Sequence, residues 1–244
     1  MARKVSASTG WLRSVRPLIT ANVENESLIE RRYNELIAAA TRLFERKGFD
    51  KTTIEEIADQ LGLSVGAIYR YVQRKEDILL LTLARTLWGF QQEVGEATKG
   101  VAEPAERLRR AIHIYFTSIA TYSASALLAY RESYVLTGEA RELVKELERE
   151  TNVIFEGIID DGIAAGVFRR CRVDVVTYDI VMLGHMWALK RLYLGKAIPL
   201  DAYIDEQTVF ILEGLRARCA TAPPGRGRAP GVLGGHVGAS HDDR

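Results

Sequence analysis

Two short apolar stripes, three residues apart, restrict what this chain can fold into more than any other feature. Ile54, Ile57, Ala58 and Leu61 recur at three- and four-residue spacing, the period of one buried helix face. The pattern stops at Gly62-Leu63-Ser64 and restarts at Val65. Glycine suits a left-handed helix end, Leu63 can pack between two helices, and Ser64 can cap a helix that begins at Val65. Thr53 followed by Glu56 is a capping-box pattern at the start of the first helix. A three-residue turn of this kind lays the second helix across the first, as in helix-turn-helix units.

The second helix sorts its residues by face. At about 100° per residue, Ala67, Ile68, Tyr71 and Val72 fall on one side, and Val65, Gly66, Tyr69, Arg70 and Gln73 on the other. The first set is apolar enough to pack inward. The second is small at its N-terminal end, where a backbone must approach a surface closely, and larger and polar beyond. A recognition helix in a DNA major groove distributes its residues this way. The faces predict that Tyr71 is packed and Tyr69 exposed. Lys75, at the start of the next helix, is placed for a phosphate contact. The competing reading is an ordinary three-helix corner with Tyr69 as a surface aromatic. Arg13, Arg16, Arg31 and Arg32 are candidates to reach phosphates or the minor groove, and for each, as for Arg70, a solvated surface residue is the competing reading.

Charge adds a second pointer. Of the chain's 33 basic and 32 acidic residues, 13 and 9 fall within 1–75, a local excess of +4 that the remainder, at −3, offsets. A basic end on an acidic body suits a polyanion partner. With 47% hydrophobic and 27% charged residues the composition is that of a soluble globular protein. No apolar run reaches the roughly 18 residues of a membrane span, and no signal sequence is expected. Cys171 and Cys219 suggest neither a disulfide framework nor a metal knuckle, which sets a cytoplasmic location as the expectation.

The rest of the chain reads as helix. Ile29, Tyr33, Leu36, Ile37, Ala40, Leu43 and Phe44 form one stripe, closed by Arg46-Lys47-Gly48. A helix from about Lys75 runs towards Thr98, and further helical patterns cover roughly 104–122, 124–136, 138–165, 173–196 and 200–218. The fold class is therefore all-α: a three-helix helix-turn-helix domain over 28–76, then a larger helical bundle over 77–219. Residues 1–27 read as a mostly flexible arm in which "GWLRSVRPLI" could dock locally, and the Pro- and Gly-rich 220–244 as a disordered tail.

"AAATRLFERKGFDK" followed by "TTIEEIADQLGLSVGAIYRYVQRKEDIL" resembles the N-terminal domain of TetR-family transcriptional repressors, with order and spacing intact. Val72 departs from the phenylalanine frequent in that family, a core change. The resemblance implies that Thr53 and Ser64 cap near phosphates, that Val65, Gly66 and Tyr69 meet the groove of a double-stranded operator, and that Lys75 holds its backbone. Arg70 joins them on the face argument alone. It also implies a homodimer formed through the last two helices, reading a palindromic site. The sequence is compatible: 175–195 is apolar over most of its circumference, and Ile204, Thr208, Ile211, Leu212 and Leu215 form a stripe.

For the second domain, no nucleophile-and-base set, phosphate loop or metal spacing is visible, so neither an enzyme nor a cofactor is expected. His113 and His185 read as packed or hydrogen-bond-satisfied helix residues, His236 and His241 as tail residues, and 142–150 as a salt-bridged outer face. Trp187 and Arg191 are four apart, with Lys190 beside them; an indole next to cations suits an adenine and phosphates. Trp187 as a core or interface anchor reads equally well. Arg131, within an apolar helix, is a candidate partner for a buried anion. The body, with "AYRESYVL", "GIAAGVFR" and "MWALKRLYL", resembles the acyl-CoA-responsive repressors of fatty-acid and steroid catabolism. That resemblance implies a small hydrophobic effector, an acyl-CoA thioester first and a non-CoA compound second. A helical ligand-binding or adaptor protein without DNA binding is the remaining alternative.

Overall fold

The structure, a computed structural model, describes residues 10–217 except 20 and 24. Among them run α1 (Gly10–Val15), α2 (Glu26–Lys47), α3 (Ile54–Leu61), α4 (Val65–Ile68), α5 (Lys75–Thr98) and α6 (Pro104–Thr121). Then follow α7 (Ser123–Glu132), α8 (Gly138–Ala164), α9 (Val173–Leu189), α10 (Arg191–Ala197) and α11 (Leu200–Leu215). The only extended pairing among the described residues is an isolated bridge between Phe168 and Arg216. The architecture is all-α, with a helix-turn-helix head and a larger helical body.

Local chemistry sets the ends of the head's helices. The Asn25 side chain accepts from the Leu28 amide at the start of α2, and Thr53 and Glu56 close a reciprocal capping box on α3. Gly62, at φ 65°, ends α3 in the left-handed region that a side chain would strain. Ser64 Oγ then accepts from the Ala67 amide at 3.2 Å and starts α4.

Burial organises the helices into two cores. One joins Trp11, Tyr33, Leu36, Phe44, Ile57 and Ile68 to the first half of α5. The other joins Phe90 and Val94, in its second half, to α6, α8, α9 and α11. At about 1.5 Å per residue, α5 is roughly 36 Å long and belongs to both. The division read at 76 and 77 thus falls at the start of a continuous helix.

Three sequence expectations are sharpened. First, residues 10–19, the stretch that could dock locally within the arm, do dock: Trp11, Val15 and Ile19 are buried, α1 packs along α5, and the Trp11 ring lies 6.3 Å from that of Tyr33. Residues 1–9 and 220–244 lie outside the described residues, as do Cys219, His236 and His241. Second, α4 is a single helical turn. The carbonyls that would extend it are taken, Arg70 O by the Asn22 amide at 2.8 Å and Tyr71 O by the Tyr33 hydroxyl at 3.1 Å. Third, the periodic run 173–196 breaks at Lys190, which leaves helical geometry at φ −115°, ψ 17°.

Close packing also fixes one glycine. A Cβ on Gly162 would stand 2.1 Å from Cδ2 of the buried Phe168 ring. Gly162→Ala is therefore expected to lower the unfolding free energy by about 1–3 kcal/mol, read by denaturant titration.

Candidate nucleic-acid interface and effector cavity

α4 presents the faces expected of it. Ile68, Tyr71 and Val72 are buried, whereas Gly66, Tyr69 and Arg70 are exposed and Val65 is half-buried. Tyr71 is 6% exposed and Tyr69 46%, although only Arg70 separates them in the chain. Tyr33 helps hold the end of α4 through Tyr71 O, and the Arg32 guanidinium lies 5.7 Å from the Tyr71 ring centre. Gly66 has negative φ, and a Cβ added to it would meet nothing within 4 Å. Neither backbone conformation nor internal clearance requires a glycine there.

The other head residues divide between surface and scaffold. Thr53 and Ser64 are exposed caps at the starts of α3 and α4. Lys47 and the Thr53 amide hold the Glu56 carboxyl below the usual carboxylate range, which keeps the capping box ionised. Lys75 stands differently from its sequence expectation. Its Nζ donates to the carbonyls of Phe49 at 2.7 Å, Thr52 at 2.9 Å and Asp50 at 3.2 Å, and lies 4.2 Å from the centre of the Phe49 ring. All three of its protons are used within the head, so Lys75 braces the α2–α3 loop, and a phosphate would have to displace one of these carbonyls. Asp77, behind it, is buried and accepts from the Gln73 and Arg74 amides.

The body holds a partly open cavity of ≈ 350 Å³ between α5, α6, α7, α8 and α9, with the exposed Tyr130 and Tyr178 among its lining residues. Leu83, Leu87 and Phe90 of α5 form much of its apolar wall. Its polar centre is His185, whose Nε2 lies 2.9 Å from the Tyr115 hydroxyl and whose Nδ1 is hydrogen-bonded to the Tyr130 hydroxyl. Burial lowers the His185 pKa to about 4 and pushes the Tyr115 hydroxyl well above its ordinary value, so both are neutral at pH 7. Glu148, raised by burial, and Thr151 also line the wall.

The sequence-predicted ligand residues lie elsewhere. Trp187 is 7% exposed and packs against Tyr203, with ring centres 5.2 Å apart; the core reading describes it. Its edge and Arg191 line a shallow groove with Leu192 and Lys196, where Arg191 Nη1 donates to Ser123 Oγ at 3.2 Å. Trp187 and Arg191 are thus brought together, but outside that cavity. Lys190 sits exposed at the α9–α10 break and lines neither space. Arg131 is exposed in the last turn of α7, where it faces the helix dipole rather than a buried anion. Ile204, Thr208, Ile211 and Leu215 of the α11 stripe are buried within this chain.

His185 is satisfied through both ring nitrogens, in line with its sequence reading, and also lines the cavity, while His113 is exposed. Glu148, read as part of an outer face, also turns towards the cavity. Tyr115, Tyr130 and His185 come from three helices, and their only trace in the sequence is the imidazole in an otherwise apolar helix. A titration test follows from His185. Its folded pKa lies below its unfolded value near 6.5, so the unfolded chain binds the extra proton. Stability is full above about pH 6.5 and falls between there and pH 4, by on the order of 2–3 kcal/mol from this group. Denaturant titrations of the parent and His185→Gln across that window should differ in slope.

The fold and the sorted faces of α4 define a helix-turn-helix protein with a helical second domain. The chain belongs to the TetR family of bacterial regulators. Residues 36–82 match the model of bacterial regulatory proteins of the tetR family, and residues 101–188 that of a tetracyclin repressor-like C-terminal domain. The HTH-type transcriptional regulator HbdR of Aromatoleum sp. (strain CIB) is 35% identical over 191 residues, covering 78% of this chain and 83% of HbdR. The fatty acid metabolism regulator protein of Bacillus subtilis (strain 168) is 28% identical over 135 residues, 55% of this chain and 70% of that protein. The crystal structure of AibR, solved with isovaleryl coenzyme A and operator DNA, superposes with a TM-score of 0.65 at 19% identity, covering 73% of this chain and 97% of AibR. The chain is a TetR-type transcriptional regulator, and regulators of this type bind operator DNA and dimerise.

Proposed function

We propose that this regulator is a cytoplasmic repressor that binds a palindromic operator as a homodimer and releases it when a small hydrophobic effector occupies the helical body. The observation that carries the DNA-binding half is the outward face of α4, with Gly66, Tyr69 and Arg70 exposed over an inner face in which Ile68, Tyr71 and Val72 are buried. Thr53, Ser64 and Val65 stand at the same surface. The observation that supports release is α5. Its first residues are tied into the head through Lys75 and Asp77, and its residues 83–90 line the cavity. An occupant that displaces this helix changes the spacing of two reading heads. Such a shift requires different ligand affinity in the two states, because equal affinity shifts nothing.

For the effector, an acyl-CoA thioester is the best-supported class. The support is the name of the Bacillus relative and the isovaleryl coenzyme A bound by AibR. Two measurements check the reading. Mobility shifts on DNA upstream of the gene should show sequence-selective binding that weakens as salt rises; none would favour a helical ligand-binding protein without DNA binding. Acyl-CoA thioesters should raise the melting temperature and release the DNA. If they do neither, the acyl-CoA assignment falls and a non-CoA hydrophobic effector takes its place.

A further inference from the structure

The cavity's hydrogen-bond inventory restricts its occupant further, on the reading that the body is the effector domain. Tyr115, His185 and Tyr130 form a three-member relay. A neutral imidazole has one N–H and one acceptor nitrogen, and the two phenols bring two O–H groups. The two hydrogen bonds of the relay consume two of these three protons, so one hydroxyl proton is always left at an end. At the Tyr130 end it meets Met182 Sδ at 3.2 Å, a weak acceptor. At the Tyr115 end, 3% exposed, no second acceptor is described among the described residues. Thr151, from the facing helix, adds a buried Oγ1 without a partner. Buried hydroxyls left unpaired are destabilising.

Charge restricts the occupant as well. None of the described lining residues is a lysine or arginine, and the only carboxyl group among them is Glu148. A carboxylate or phosphate inside would be desolvated without a counter-ion. We infer that the cavity binds an apolar group bearing a carbonyl or hydroxyl oxygen and no negative charge. That oxygen accepts from Thr151 and, in the imidazole tautomer whose Nε2–H donates to Tyr115, from the Tyr115 hydroxyl. In that tautomer Tyr130 donates to Nδ1 instead of to Met182, so His185 and Tyr130 position the Tyr115 proton. The volume of ≈ 350 Å³ is that of a small-molecule site, in the range of about 300–1,000 Å³. An acid is therefore accepted only as a neutral derivative, such as an ester, thioester or ketone, with any charged handle left outside.

Isothermal titration of the full chain at pH 7 with 2-decanone, 1-decanol and decanoate tests this. The two neutral probes should saturate one site, and decanoate should bind at least about tenfold more weakly. Tyr115→Phe and Thr151→Val should each weaken 2-decanone binding about three- to tenfold. Thr151→Val removes a hydroxyl that has no partner, so it should melt no lower than the parent and remains informative if Tyr115→Phe unfolds. The inference is overturned if neither neutral probe binds, if decanoate binds as tightly as 2-decanone, or if both variants keep the parent Kd. Mobility shifts with the same preparations separate the two levels. Saturating 2-decanone that leaves DNA bound sinks the effector reading and spares the site chemistry; DNA binding without any neutral probe binding does the reverse.

Discussion

Gly66→Glu should leave the protein folded and abolish specific DNA binding. The position has open space around an added Cβ and negative φ, so a side chain meets neither clash nor strain. It lies in the first turn of α4, where an acidic group complements the positive end of the helix dipole. An exposed change of this kind shifts stability by about 0.5 kcal/mol or less. At a DNA surface the same change inserts bulk where the backbone must come close and sets a negative charge among phosphates. Specific affinity should fall at least about 1,000-fold, towards the non-specific level. Gly66→Ala should give a smaller loss in the same direction. Melting curves and mobility shifts on the upstream DNA measure both quantities. Parental affinity in Gly66→Glu would mean that another surface reads the DNA.

The second large effect concerns assembly. Leu192 is 86% exposed, Tyr193 75% and Phe210 69%, with Tyr178 and Val209 also at the surface of α9 and α11. Burying such side chains is favourable by roughly 25 cal/mol per Å² of apolar area. They are the residues of the last helices that this chain leaves uncovered, since the α11 stripe packs inward. Phe210→Glu combined with Leu192→Glu should halve the mass in light scattering while the monomer's helical signal is kept. Operator affinity should fall about 100-fold or more, because the second head no longer acts at the high effective concentration set by the first. A parental mass would place the interface on another face.

The head was more legible in the sequence than the body, for a physical reason. In α3 and α4 the interactions that fix the ends lie three or four residues apart: Thr53 with Glu56, Ser64 with the Ala67 amide, Gly62 in its left-handed turn. Sequence spacing reports these directly. The opposite assignments of Tyr69 and Tyr71 followed from helix geometry alone. Lys75 was misplaced because its three acceptors lie 23 to 26 residues earlier, in a loop whose path depends on the packing of α2 against α3. The docking of α1 depended on Trp11 finding Tyr33, a contact 22 positions away that periodicity does not encode.

In the body the sequence identified helices but not the polar centre of the cavity. Trp187 and Arg191 drew notice because their spacing is local, yet the Trp187 side chain is spent on Tyr203 in the core. Tyr115 and His185 are 70 residues apart, and the relay exists only because α6, α7 and α9 converge. What the sequence by itself determined is the all-α class, the helix-turn-helix and the outward face of its second helix, since these rest on propensity, capping and a fixed angular period. The tertiary structure alone decided which polar groups meet in the cavity, which apolar face stays uncovered and where α4 ends. Those depend on side chains from distant helices competing for the same buried space and the same backbone carbonyls.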